Sequence, residues 1–441
     1  MCAGMFLVQL DVTVVNVALP RIGHGLHADL SGQQWVIDSY TVVLAALLLA
    51  AGVVGDRWGH RTVVVTGLVL FGLASLLCGL ATGIETLVAA RAAQGLAAAL
   101  LLPSTLAVVH RTFPGREEQA RALGVWAGIS ALALPAGPLL GGALVAAAGW
   151  RAVFLVNLPV VAVALLLTLR LVDRDEPVPG RRLDLPGVLA AVLTLTALVY
   201  CVITAGRTGL ATPVVAAALV TVVGAALLAW RETHTTAPMF PPHLLRKADF
   251  VGANGIAAAM NFVGIGVVFV ATLYLQGVQG HGTLTAGGML LPLFLPLAVC
   301  APFTGRLAAK VGPRTPMLGG LLIGTAGAAG LLLVEPDSAY PVLLPTLLGL
   351  GLGMGLLTPA VVAAALRAGP PDRPGLSSGV NNTARQAGGA LGVAVFGAMA
   401  QDPATPHRFT EGLHHIGVLS AVLWLAAVAT TLVTVPRGGR P

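Results

Sequence analysis

Fourteen apolar runs, most of them about 17 to 25 residues long and nearly free of charge, follow one another through this 441-residue chain. Only short charged or Pro/Gly-rich joints separate them. The hydrocarbon layer of a bilayer is roughly 30 Å thick and a helix rises about 1.5 Å per residue. Each run can therefore cross once while satisfying its own backbone hydrogen bonds. The runs fall at 4–20, 35–54, 62–81, 86–108, 122–146, 152–171, 186–204, 212–230, 251–275, 284–304, 315–334, 341–365, 377–400 and 414–435. Too little chain is left over for a large soluble domain. Charged residues are only 10% of the chain against 56% hydrophobic, too few to coat a water-facing surface, and no strand-like alternation of a membrane barrel occurs. The expected fold class is an all-α membrane protein of fourteen transmembrane helices.

The net charge of +7 would raise the question of nucleic acid on a soluble chain. Here the placement of the charges answers it. With the N-terminus inside, 19 of the 25 Lys and Arg residues lie on inward loops or the tail, four lie on outward loops, and Arg91 and Arg385 lie within spans. The positive-inside bias then puts both termini in the cytoplasm. The first residues lack a basic n-region and the first run carries Asp11, so that run is expected to stay as a helix. It begins almost at Met1, which fits a translation start farther upstream. Cys2, Cys78, Cys201 and Cys300 are scattered without metal-like spacing and read as packing residues. Arginine greatly outnumbers lysine, and Ala and Gly abound, pointing to a high-GC bacterium and its cytoplasmic membrane.

A repeat is visible at two joints. GVVGDRWGHR (52–61) and GRLAAKVGPR (305–314) match at Gly52/Gly305, Gly55/Ala308, Arg57/Lys310, Gly59/Gly312 and Arg61/Arg314. Each joint follows the second span of its half, so the halves fit two six-helix bundles. The expected division is a first bundle over 1–172, a linker with two inserted spans over 173–248, and a second bundle over 249–441. Repeat-built transporters place their site between the repeats.

Four motifs then come in order on the expected spans: LDVTVVNVALP (10–20) in the first, the 52–61 joint, LVAARAAQGLAAA (87–99) in the fourth, and GPLLGG (137–142) in the fifth. Together they resemble the major facilitator superfamily, and within it the fourteen-span drug:proton antiporter family of EmrB/QacA type. The resemblance covers essentially the whole chain, with Ala133 standing where the fifth-span motif usually has glycine. It implies a major facilitator fold and proton-coupled export of lipophilic compounds, cationic ones among them. It further implies no cofactor, with the proton gradient as the energy source, and function as a monomer. It also gives Asp11 the place of the family's first-helix acid, and it associates the fifth-span stretch with antiport.

The residues make their own case. Asp11 lies near the middle of the first span, where a lipid-facing carboxylate costs about 2.5–3.5 kcal/mol, so it must face a cavity, be protonated, or serve as a hydrogen-bonding contact between helices. A carboxylate whose surroundings alternate between wet and dry can take up and release a proton. Arg91 lies in the fourth span at a level roughly 6 Å from Asp11, within reach of one extended side chain. It pairs with Asp11, directly or through water, or snorkels to the outer headgroups. Asp38, near Trp35 and Tyr40, reads as a wetted outer-end residue or a cation site beside belt aromatics. Asn381, Asn382 and Arg385 share a polar stripe on the thirteenth span, with Gln386 following, and line a pathway or join helices.

At the first joint, read as a cytoplasmic gating loop that includes Gly52 and Gly55, Gly59 allows a sharp turn. Asp56 reads as a latch that pairs with an arginine or a helix N-terminus in one conformation and loses that partner in the other, and a plain inside anchor explains Arg57 and Arg61 equally well. The matching position in the second joint is Ala309. Gly124, Gly128, Ala133, Gly137, Gly141 and Gly142 give the fifth span a small-residue face for close packing or sliding, and Pro138 can bend it. The histidines form no helical zinc motif and no glycine loop ending in Lys-Ser/Thr is present, so neither a metal nor ATP is expected. A metabolite exporter or a proton-coupled uptake carrier is the alternative. A membrane enzyme is least favoured, since no nucleophile, base or acid pair converges at one depth.

Overall fold

The computed structural model describes residues 1–113, 115–173, 184–235, 242–370 and 373–436, and no strand occurs among them. In chain order the helices are α1 (Cys2–Leu26), α2 (Leu30–Trp58), α3 (His60–Gly79), α4 (Ile84–Thr112), α5 (Arg116–Ala148), α6 (Ala152–Leu155), α7 (Asn157–Leu171), α8 (Leu185–Thr208) and α9 (Thr212–His234). They continue with α10 (Ala248–Leu273), α11 (Thr283–Met289), α12 (Leu291–Val311), α13 (Arg314–Ala329), α14 (Tyr340–Ala368), α15 (Pro374–Ala400) and α16 (Pro406–Thr434). Among the described residues thirteen helical stretches are long and apolar enough to cross a membrane. The other expected span is α15, long enough at 27 residues but made more polar by Asn381, Asn382, Arg385 and Gln386.

Local chemistry sets the ends. Asp29 caps α2 by accepting from the Gly32 amide at 2.8 Å. Gly59 alone joins α2 to α3 at φ +84°, and Gly312 repeats that angle before α13. A side chain would be strained in that left-handed region. Two expected spans are broken. The sixth is split at Val156 between α6 and α7, and the tenth at Leu290 between α11 and α12, where Pro292 opens the new helix. The ninth runs on from α10 into a π-helical turn over Tyr274–Val278.

The chain forms two compact units. One comprises Met1–Ala197, Val220–Met239 and Gly282–Gly287, the other Leu198–Leu219, Phe240–His281 and Gly288–Pro441. In the first, α1 lies along α5, α2 and α3 pack on α4, and α3 meets α7. Its core includes Leu7, Val8, Leu44, Leu68, Phe71 and Leu101. In the second, α10 lies along α15, α12 and α13 pack on α14, and α13 meets α16. The internal packing of one unit thus repeats that of the other. The repeat extends to single atoms: Arg61 Nη2 donates to the Leu169 carbonyl at 2.9 Å, and Arg314 Nη2 to the Leu432 carbonyl at 2.9 Å. Both arginines satisfy last-turn carbonyls that their helices leave unpaired.

The helices expected as the inserted pair are α8 and α9, and each is divided between the two compact units. Asp184 accepts from the Gly187 amide at 3.2 Å and pairs with Arg231 at 2.7 Å, tying the start of α8 to the end of α9. Of the charged stretches expected to flank this pair, 173–184 and 231–249, residues 174–183 and 236–241 lie outside the described residues.

Candidate functional site

Ten residues into the bundle from the start of α1, Asp11 is 1% exposed and accepts an ion-paired hydrogen bond at Oδ2 from Arg91 Nη1. Arg91 itself is 1% exposed and directed inward, so it does not snorkel to the headgroups. Its Nε donates to the Val36 carbonyl at 3.0 Å and its Nη1 also donates to Gln94 Oε1 at 2.9 Å. The guanidinium carbon stands 4.4 Å from the centre of the Tyr40 ring, a cation–π contact. Gln94 donates to Ser75 at 2.8 Å and to Asp11 Oδ1 at 3.4 Å, and Asn157 donates to the same Oδ1 at 3.3 Å. One carboxylate and one guanidinium are thereby held by α1, α2, α3, α4 and α7 together.

Gln94, Ser75, Asn157 and Tyr40 are absent from the expected site. Gln94 carried a signal, because it follows Arg91 by three residues and shares its face. Tyr40 corrects the belt reading: the ring is fully buried and its hydroxyl donates to the Val8 carbonyl at 3.4 Å. Asp38 is corrected as well. It is 0% exposed, so it is no wetted end residue, and neither carboxylate oxygen has a hydrogen-bond partner among the described residues. Along α2 it is separated from both Val36 and Tyr40 by two residues, about 200° around the helix, which turns it away from the Arg91 side.

In the second unit, Asn381 Nδ2 donates to Asn254 Oδ1 at 3.2 Å, linking α15 to α10. Gly388 and Gly392 lie where any Cβ would collide with the α10 backbone at Ala258 and Phe262, so the two helices touch main chain to main chain. Arg385 is half-buried, and its Nε is sealed from solvent without a partner among the described residues. Asn382 is half-buried beside it.

At the α2–α3 joint Asp56 Oδ1 lies 3.3 Å from His60 Nε2. Gly55 leaves room for the His60 ring and Gly52 faces open space, while Arg57 is exposed. On α5 the small-residue face divides in two. Gly137 and Gly141 lie against Thr13 and Val14 of α1, with no room for a Cβ at Gly137. Gly142 takes a 3.3 Å hydrogen bond on its carbonyl from Thr283 Oγ1. Gly124 and Gly128 have nothing within 4 Å of a would-be Cβ among the described residues, so the close contact is confined to the other half. Pro138 is joined inside α5 by Pro135. Among the described residues no cluster of three or more His, Cys, Asp or Glu side chains could hold a metal.

A family model described as Major Facilitator Superfamily matches residues 1–393. The chain belongs to that superfamily. Among its relatives, this major facilitator is 36% identical over 400 residues to the multidrug resistance protein Stp of Mycobacterium tuberculosis, covering 90% of this chain and 74% of that one. It is 35% identical over 400 residues to the methylenomycin A resistance protein of Streptomyces coelicolor, covering 90% and 84%. A solved bacterial homologue of the human lysosomal transporter Spinster, in an inward-facing, unoccupied conformation, shares the fold at a TM-score of 0.69 and 19% identity, over 98% of this chain and 95% of that one.

Proposed function

We propose that this major facilitator is a proton-driven exporter of lipophilic compounds, of the EmrB/QacA-type fourteen-span subfamily. In this reading it works as a monomer in a bacterial cytoplasmic membrane with both termini inside, as a carrier rather than an enzyme. The relatives named for multidrug and methylenomycin A resistance support export as the direction. The observation that carries the coupling is the ion pair of Asp11 and Arg91, buried in the first unit away from lipid.

A proton arriving from outside neutralises Asp11 and leaves Arg91 with its amide, carbonyl and ring contacts but no counter-charge. Breaking a buried pair costs about 3–5 kcal/mol. A conformational equilibrium moves from 1:99 to 99:1 on roughly 5.5 kcal/mol, so one such event supplies much of the bias that alternating access needs. The close, glycine-lined contact of α5 with α1 transmits the change, because it ties Thr13 and Val14, next to Asp11, to a second helix. On the inner side the proton leaves and the pair re-forms.

The test is efflux of a lipophilic fluorescent dye in inverted vesicles under an imposed pH gradient. Export by the parent is expected to require the gradient, and Asp11→Asn to abolish that requirement along with uphill export. Gradient-independent export by the parent would refute the proposal.

A further inference from the structure

The two units treat the arginines within their spans differently. In the first, Arg91 is met by a carboxylate, an amide, a carbonyl and a ring. In the second, Arg385 has neither a hydrogen bond nor an ion pair among the described residues. It stands eleven residues in from the start of the 27-residue α15, near mid-membrane. The only acids in helices α10 to α16 are Asp249, in the first turn of α10, and Glu411, in the second turn of α16. Neither is at the level of Arg385.

An unpaired carboxylate such as Asp38 can be neutralised by a single proton. A guanidinium cannot be deprotonated inside a protein, so its charge must be met by an anion or by water. The surroundings of Arg385 suit an anion. Asn381 faces Asn254 and Gly388 faces Ala258, which sets Arg385 between these two levels, with Asn261 one turn farther along the same side of α10. Asn254 and Asn261 are buried, and the Asn381 Oδ1 is sealed without a donor. Asn254 Nδ2 is held by the Phe250 carbonyl and Asn381 Nδ2 by Asn254, so Arg385 is the group at this level whose donors are left for a ligand, and the planar fork of arginine matches a carboxylate in two places. The main-chain contact at Gly388 and Gly392 fixes α15 against α10, so the guanidinium is positioned before a ligand arrives.

We infer that Arg385 is a specificity-determining residue that recognises an anionic oxygen, a carboxylate first among them, on a lipophilic substrate. The inference rests on the reading of the protein as a carrier and narrows its substrates to lipophilic acids, in place of the cationic class expected from the sequence.

The test is equilibrium binding of 1-pyrenebutyrate and of its methyl ester to the full-length purified protein, followed by pyrene fluorescence with no gradient present. The acid is expected to bind about ten- to hundredfold more tightly than the ester, the range of one charge-assisted contact. Arg385→Gln is expected to erase that preference while leaving ester binding and thermal stability unchanged, and Arg385→Lys to restore part of it. Equal binding of acid and ester by the parent, or an undiminished preference in Arg385→Gln, would overturn the inference. Should Arg385→Gln fail to fold, the parent's acid-to-ester ratio alone decides. Because no gradient enters, failure here is distinct from failure of proton-driven export.

Discussion

Asp11 and Arg91 hold each other in place, so removing either leaves the other as an uncompensated charge within the bundle. Asp11→Asn and Arg91→Ala are each expected to cost about 3–5 kcal/mol, seen as a lowered Tm in detergent. The double change Asp11→Leu with Arg91→Leu should recover much of that loss, since hydrophobic groups of similar size can replace a buried pair. Asp38→Asn should behave in the opposite way. Its carboxylate oxygens are sealed and unpartnered, so an uncharged amide there is expected to leave Tm unchanged or raise it. The pair was legible in the sequence because a charge within an apolar run is costly and demands a partner. Ser75 and Asn157 were not, because a neutral polar residue in a helix gives no such signal. Tyr40 misled because an aromatic near a span end looks the same whether it faces headgroups or a guanidinium.

Among the elements, α5 gives the sharpest contrast. Glycine in an exposed helix interior is worse than alanine by about 1 kcal/mol, so Gly124→Ala and Gly128→Ala, with nothing near the new methyl group, should be neutral or stabilising. Gly137→Ala places that methyl group in Thr13 and should lower both Tm and dye efflux. Equal effects at all three positions would contradict the assignment of the α1 contact to the 137–141 half. The sequence showed one continuous small-residue stripe. It could not show which part meets a neighbour, because small residues at helical spacing allow a close approach without requiring one. The joints were clearer: glycine and arginine at matched offsets reappear as Gly59 and Gly312 at the same φ, and as Arg61 and Arg314 on equivalent helix-end carbonyls. Arg61→Ala should therefore cost about 1–2 kcal/mol, near the value of a charge-assisted hydrogen bond partly exposed to water, measured as a shift in Tm.

For the molecule as a whole, the run lengths dictated an all-helical, multi-pass fold, and the matched joints are accompanied by matched helix packing inside each unit. The breaks at Val156 and Leu290 escaped notice because an apolar run reads the same through a change of helix. Function at this scale depends on whether loss of the Asp11 charge is tied to transport. The most direct measurement is proton movement itself, recorded with an internal pH dye in proteoliposomes when a transported substrate is added to one side. A substrate-triggered proton flux opposite in direction to the substrate is expected in the parent, and none in Asp11→Asn. Substrate movement in the parent with no accompanying proton flux, or an unchanged flux in Asp11→Asn, would contradict that coupling.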